Sequence, residues 1–270
     1  MSSSTETLPA SHPPVDAGNG KCPVTGQEYE FIPPQEGDIR SVCPAINAMA
    51  NHGYIPRDGK NISPWQMIHG LKACYGLSSP LAIFLTTGGW VLLRKYLPVR
   101  INLFELGAHG RVEHDASVVH EDCPPDQKDA PIKVHPELVN AFATHVVQSA
   151  AIKVGRGVET MAETEVVVTG DDIVQTRLRR EKLSPPLDPL HAEIARGEMA
   201  IILGVWEQTV EGRKGVPLPW MRRWLGEERL PDGWKPDHVQ GLLDVVKRST
   251  AMRNEMNRIR EEEAKNAKDR

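Results

Sequence analysis

The chain has 270 residues, of which 40% are hydrophobic, and it carries a formal charge of −4. This length suffices for one domain with a sizeable core, and the scattering of lysine and arginine among acidic residues excludes a surface built to coat nucleic acid. Four cysteines, at positions 22, 43, 74 and 123, are too few and too dispersed for a disulfide scaffold, and none forms the C-x-x-C pair of a zinc finger.

The N-terminal region, residues 1–35, is rich in Ser, Pro, Gly and Thr and predicts a flexible arm without a core of its own. It lacks the basic segment and apolar run of a secretory signal, which favours a cytoplasmic location with reduced thiols. The longest apolar stretch, PLAIFLTTGGWVLL at 80–93, is too short and too interrupted to cross a bilayer, so no membrane span is expected.

Apolar residues recur with helical spacing along most of the remaining chain, and proline just after a capping position marks several helix starts. Helices are predicted from residue 44 to Gly53, over 63–76, over 80–96 with a break at Gly88-Gly89, from 136, over 165–181, over 187–209, within 216–231, and from 236 onward. The only strand-like segment is TEVVV at 164–168. The predicted class is therefore mostly α.

Cys43 stands directly before Pro44, so its sulfur is expected at the N-terminal end of a short helix. Unpaired N–H groups and the helix dipole favour a thiolate there, suited to a nucleophile or to a soft ligand for iron. The alternative is a small apolar residue buried at a helix start. Cys22, in the arm, and Cys123, between acidic residues that raise a thiol pKa, are weaker candidates.

The segment Glu113-His114-Asp115-Ala116-Ser117 is too polar to be simple core. Oxygens of Glu113 and Ser117 can approach one point and suit a hard cation such as Mg²⁺, while His114 and Asp115 can form an acid–base pair. The alternative is a solvated acidic turn with Asp115 as a helix N-cap. The spacing alone leaves both interpretations open.

Glu198 directly precedes the aliphatic run Met199–Leu203 in the most apolar predicted helix. A carboxylate at that boundary is expected to be partly desolvated, which raises its pKa and suits a proton shuttle. The alternative is a carboxylate on the wet side of the helix, near Glu193.

Four ordered segments resemble one family, the fungal heme-thiolate peroxidases, which include chloroperoxidase and the unspecific peroxygenases. These segments are CPAINAMANHGYIPRDGKNIS (43–63), EHDAS (113–117), EIARGEMAIIL (193–203) and WLGEERLPDGW (224–234). The resemblance implies a single compact helical domain of the chloroperoxidase-like type over residues 36–235, enclosing a heme. Residues 236–270 would then form a charged C-terminal helix or tail.

The resemblance also implies roles for residues on the two faces of a heme b. Cys43 would be the axial thiolate, whose electron donation favours O–O cleavage. Glu198 would be the distal acid–base group, oriented by His114 with Asp115. The rest of the implied cofactor-binding segment is Pro44, Ala45 and Asn47. The implied ligands of a structural Mg²⁺ or Mn²⁺ are Glu113, the carbonyl of His114, Ser117 and a heme propionate.

The expected activity is the use of hydrogen peroxide to hydroxylate or epoxidise small apolar organic molecules, within an intracellular step of secondary metabolism. The aliphatic residues after Glu198 (Met199, Ile201 and Ile202) are expected to line a flexible, lipophilic substrate channel. Two other functions stay open: a halide-oxidising haloperoxidase on the same heme, and a non-catalytic heme-binding or heme-sensing protein. The sequence also leaves open whether the protein is a monomer or a homodimer.

Overall fold

The computed structural model describes residues 29–210 and 212–268. These residues form eight α-helices: α1 (Pro44–Asn51), α2 (Pro64–Tyr75), α3 (Ser79–Leu92), α4 (Pro136–Val154), α5 (Gly170–Leu183), α6 (Pro189–Trp206), α7 (Leu218–Glu227) and α8 (Leu242–Lys268). The strands β1 (Val167–Val168), β2 (Gln208–Val210) and β3 (Arg213–Pro217) form one small antiparallel sheet in the order β1-β3-β2. The prediction of a mostly α protein is confirmed.

Local sequence explains why most helices start where predicted. Six of the described helices have proline at the first or second position, where the missing N–H costs no hydrogen bond. At α2, the Ser63 hydroxyl accepts from the N–H of Gln66, while the Gln66 side chain accepts from the N–H of Ser63. Gly53, just after α1, has a φ of +75°, the conformation expected of a glycine that ends a helix.

Three predictions about the elements were wrong in detail. Helix α3 continues through Gly88-Gly89 without a break. Two glycines cost about 2 kcal/mol of helix propensity, and the packing of α3 against α2 offsets that cost. The helix predicted over 165–181 begins only at Gly170, after β1, and the one predicted over 187–209 ends at Trp206, before β2. The β2–β3 hairpin depends on cross-strand pairing, which helical periodicity does not predict.

The C-terminal helix α8 packs on α6 and α5 of the same chain. Its stripe of Val245, Met252 and Met256 is buried, as the regular apolar spacing favoured. A polar contact reinforces this packing, since the Ser249 hydroxyl donates to Glu193 on α6 at 2.5 Å. The segment predicted as a charged helix or tail is therefore part of the helical body up to Lys268.

The arm predicted over residues 1–35 lies mostly outside the described residues, which begin at Tyr29. Tyr29 itself contacts the body, because its carbonyl accepts a hydrogen bond from Nδ1 of His52 at 2.8 Å. Among the described residues, no helix combines the length and apolarity needed to cross a membrane.

Gly70 on α2 and Gly89 on α3 offer a matched test of the packing of α1 against α2. A Cβ at Gly70 would lie 2.5 Å from Cε of Met49 and 2.7 Å from Cγ2 of Ile55, whereas a Cβ at Gly89 meets no atom within 4 Å. We expect Gly70→Ala to lower the free energy of unfolding by about 1–3 kcal/mol through overpacking. Gly89→Ala should raise it by up to about 1 kcal/mol through helix propensity. Denaturant unfolding measures both, and equal effects would contradict the close approach of α1 and α2.

Candidate active site

Cys43 is the N-cap of α1, with an extended backbone and its sulfur beside the first helical turn. Burial raises the pKa of the Cys43 thiol to about 12, and the negative charge of Glu198 acts in the same direction. The N–H groups of Ala45 and Ile46 point at the sulfur and act in the opposite direction. The sulfur lies at a helix N-terminus as predicted, but burial outweighs the effect of these N–H groups, so the expected lowering of the thiol pKa is not found.

Asn47 holds the turn that carries Cys43. Its side-chain oxygen accepts from the N–H of Ser41 at 2.8 Å and from the Ser41 hydroxyl at 3.0 Å. Its amide nitrogen donates to the Ser41 carbonyl at 2.7 Å and to Glu228 at 2.6 Å. The Ser41 hydroxyl in turn accepts from the N–H of Cys43. Every polar atom of the buried Asn47 side chain is therefore used within the protein. Asn47 thus positions the cysteine turn, and its predicted contact with a cofactor stays a prediction.

His114 and Glu198 meet across the site, with 3.5 Å between His114 Nε2 and a Glu198 carboxylate oxygen. The His114 ring is buried, and its Nδ1 donates to the main-chain carbonyl of Asp115 at 2.7 Å. Burial lowers the pKa of His114, but the Glu198 carboxylate outweighs burial, so the pKa lies above its usual value. The predicted pairing of His114 with Glu198 is present in the structure.

Asp115 orients His114 differently from the predicted side-chain pair. Its main-chain carbonyl accepts a hydrogen bond from Nδ1 of His114, while its carboxylate accepts one from the N–H of Cys123 at 3.1 Å. The Glu198 side chain is 47% exposed, so it is less buried than its place in an apolar helix led us to expect. The pair thus joins a buried histidine to a carboxylate that reaches solvent.

Two arginines of α5 hold the loop that carries His114. Arg177 is buried and donates to the carbonyl of Ala116 at 2.6 Å, and Arg180 donates to the carbonyl of Ser117 at 2.6 Å. Ala116 has a φ of +63°, which is strained for a residue with a Cβ and persists only where other contacts impose it. Sequence reasoning missed both arginines, because the i, i+3 spacing of two cations on a helix does not reveal a loop as their partner.

The acidic residues near His114 are grouped differently from the predicted cation site. Glu113 accepts from His109 at 2.8 Å, and possible ligand atoms of His109, Glu113 and Asp115 all lie within 4.8 Å of one another. The Ser117 hydroxyl instead accepts from the N–H groups of Val119 and His120, both at 3.2 Å. The Glu113–His114–Ser117 site therefore stays a prediction.

The residues predicted to line a channel lie mainly in the core. Met199 and Ile202 are buried within the hydrophobic cluster and are scarcely exposed to solvent, and their place in a substrate channel stays a prediction. Helical geometry explains this, since each points to the side of α6 that packs on the protein. Ile201 is only partly buried and, three residues after Glu198, shares its face of the helix.

Known proteins with sequences similar to this chain are peroxidases and peroxygenases. The model of the family described as "Peroxidase, family 2" matches residues 29–239. A chloroperoxidase of Leptoxyphium fumago is 25% identical over 83% of this chain and 61% of its own length. The aromatic peroxidase fscJ of Fusarium equiseti is 46% identical over 29% of this chain and 18% of its own length. An aromatic peroxygenase of Cyclocybe aegerita is 28% identical over 43% of this chain and 37% of its own length.

Each of these matches covers less than two thirds of the relative concerned. The family match, in contrast, spans most of the chain and includes both Cys43 and Glu198. Together with the mostly α fold that was expected for the resemblance, it establishes that this protein belongs to the family of peroxidases described as family 2, the fungal heme-thiolate peroxidase family.

Proposed function

We propose that this protein is a heme-thiolate peroxidase or peroxygenase that uses hydrogen peroxide to oxidise small apolar organic molecules. The observation that carries the proposal is the contact between His114 and Glu198, a buried histidine and a half-exposed carboxylate whose Nε2 and oxygen lie 3.5 Å apart. The same chain presents the sulfur of Cys43, a soft metal ligand, at the N-terminus of α1. This set of groups matches the needs of peroxide cleavage at a metal centre.

The residues present fit a heme on the Cys43 side. Cys43 has an extended backbone, its sulfur lies beside the N–H groups of Ala45 and Ile46, and the residue is held by the Ser41–Asn47 turn. Pro44 and Ala45 are partly buried residues of the same helical turn, placed to contact a bound porphyrin. When bound, heme supplies the iron centre at which peroxide is cleaved, and a thiolate ligand favours cleavage of the O–O bond.

On the opposite side, the protein's own task is to move one proton. Glu198 takes the proton from one oxygen of hydrogen peroxide and returns it to the other, which departs as water. His114 holds the carboxylate in place through Nε2, while its own ring is fixed through Nδ1 by the Asp115 carbonyl. The raised pKa of His114 keeps a proton available for that contact with Glu198.

The substrate class follows from the surroundings of Glu198 and from the relatives. Ile201 is the apolar neighbour of Glu198 on its face of α6, which favours an aliphatic or otherwise lipophilic substrate. The relatives' names include both an aromatic peroxygenase and a chloroperoxidase. Parallel assays of alkane hydroxylation and of monochlorodimedone chlorination would separate oxygen insertion from halide oxidation.

Cys43→Ala and Glu198→Gln should fail in different ways. Without its sulfur ligand, Cys43→Ala should lose the optical band of a thiolate-bound heme in the reduced, carbon monoxide-treated protein. Glu198→Gln should keep that band but lose about 10²- to 10⁴-fold in the rate of peroxide cleavage, the usual value of an acid–base group. A heme sensor without turnover would instead tolerate the loss of Glu198, and a histidine-like band in the wild type would refute the proposal.

Arg177 and Arg180 form a second matched pair. Arg177→Gln removes the buried donor to strained Ala116, so we expect a clear loss of peroxide-cleavage rate per bound heme. Arg180→Gln should cost less, because Arg180 is more exposed and Ser117 has an ordinary backbone. Arg177→Lys should recover part of the rate. Stopped-flow kinetics at equal heme occupancy measures this order, and equal losses in both glutamine variants would contradict the special role of Arg177.

We also propose that a hard cation, Mg²⁺ or Mn²⁺, binds at the acidic group around Glu113. Carboxylate and carbonyl oxygens are the ligands such ions prefer. Elemental analysis of the dialysed holoprotein should find about one equivalent in the wild type and none in Glu113→Gln. An equal content of Mg²⁺ and Mn²⁺ in both proteins would contradict a site at Glu113.

A further inference from the structure

Four of the six tryptophans of this chain form one cluster next to the Cys43 side of the site. The Trp206 ring lies at the centre, with its centroid 5.3 Å from that of Trp224, 5.3 Å from that of Trp234 and 6.5 Å from that of Trp220. Trp220 and Trp234 also contact each other, at 6.1 Å. The tryptophan cluster (Trp206, Trp220, Trp224 and Trp234) is therefore continuous from ring to ring.

Hydrogen bonds connect the tryptophan cluster to the cysteine helix. Trp224 donates from its indole nitrogen to the hydroxyl of Tyr75 at 3.2 Å, and that hydroxyl donates to the carbonyl of Ala45 at 2.7 Å. The N–H of the same Ala45 points at the Cys43 sulfur.

Tyr75 and the tryptophan cluster together form a path that also reaches the surface. Tyr75, Trp206 and Trp224 are buried, whereas Trp220 and Trp234 are partly exposed. Tyrosine and tryptophan are among the side chains most easily oxidised by one electron, and rings in contact exchange electrons readily. A packed core needs aromatic volume, but it does not require a continuous line of these two residue types that begins beside a metal ligand and ends at solvent.

We propose that Tyr75 and the tryptophan cluster carry oxidising equivalents from the heme side of Cys43 to the surface at Trp220 and Trp234, where donors too bulky for the heme pocket are oxidised one electron at a time. The tryptophan cluster would thus be a second place of oxidation, remote from Glu198, and this inference rests on the proposed binding of heme at Cys43. The chemical class of the donor is an electron-rich organic molecule, such as a phenol or a large conjugated dye.

The electron balance needs no oxidant other than hydrogen peroxide. One peroxide molecule accepts two electrons and two protons and becomes two molecules of water. Each electron leaves an aromatic ring of the path, and the indole N–H proton of the oxidised tryptophan is released. A donor at the surface then returns one electron and one proton to that tryptophan, so two donor molecules become two radicals for each peroxide consumed.

The test compares Trp220→Phe/Trp234→Phe with Trp65→Phe, all as heme-loaded proteins. Trp65 is the matched control because its side chain is 68% exposed on α2 and its ring lies outside the tryptophan cluster. Both variants and the wild type are mixed with peroxide and a bulky sulfonated azo dye, and separately with peroxide and cyclohexane. Rapid-freeze paramagnetic resonance records the organic radical formed with peroxide alone, and mass spectrometry locates oxidised tryptophan in the wild type.

We expect the double variant to lose at least about tenfold in kcat/KM for the dye, with cyclohexane hydroxylation and the heme spectrum unchanged. Trp65→Phe should behave like the wild type in every assay, and the wild-type radical should be accompanied by oxidation at Trp220 or Trp234. Unchanged dye oxidation in the double variant, or an equal loss in Trp65→Phe, would overturn this inference alone. Absence of the thiolate–heme band from the wild type would overturn the proposed function and the inference with it.

Discussion

The hydrogen bonding of Asn47 is the constraint on which the Cys43 side of this site, called the proximal side here, depends. Its buried amide binds Ser41 on one side and Glu228 on the other, and so ties the turn before α1 to the segment after α7. Loss of such a group leaves buried partners unsatisfied, at a cost of about 1–3 kcal/mol each. The position of the Cys43 sulfur is thus set by contacts that never touch it, and a sulfur in a fixed position can serve as a metal ligand.

The distal side is held by a different set of contacts. The loop from Glu113 to Cys123 is closed by two main-chain donors, the N–H of Ala116 to Asp122 and the N–H of Cys123 to Asp115. Arg177 and Arg180 fix it to α5, and α8 packs against both α5 and α6. The separation of His114 and Glu198 therefore reflects the packing of three helices and one strained loop. The C-terminal helix contributes to the site without containing any of its chemical groups.

The tryptophan cluster extends the proximal side towards the surface. It shares Ala45 with the turn that carries Cys43, so the residue whose N–H stabilises the sulfur also receives the Tyr75 hydroxyl. The proposed oxygen insertion needs a substrate beside Glu198, whereas the proposed one-electron oxidation needs only an aromatic ring at the surface. The fold separates these two places, because α6 carries Glu198 near its middle and Trp206 at its end.

The sequence by itself determined most of the helix starts, the placement of Cys43 at a helix N-terminus and the membership of Glu113, His114 and Glu198 in one family pattern, because caps, prolines and ordered motifs are local signals. The unbroken α3, the β2–β3 hairpin and the burial of Met199 and Ile202 were decided by tertiary packing, which local periodicity does not encode. The same holds for Asn47 with Glu228, for Arg177 with Ala116, and for Tyr75 with Trp224. Each of these pairs joins residues distant in sequence, so only the folded chain brings their hydrogen-bonding atoms within reach.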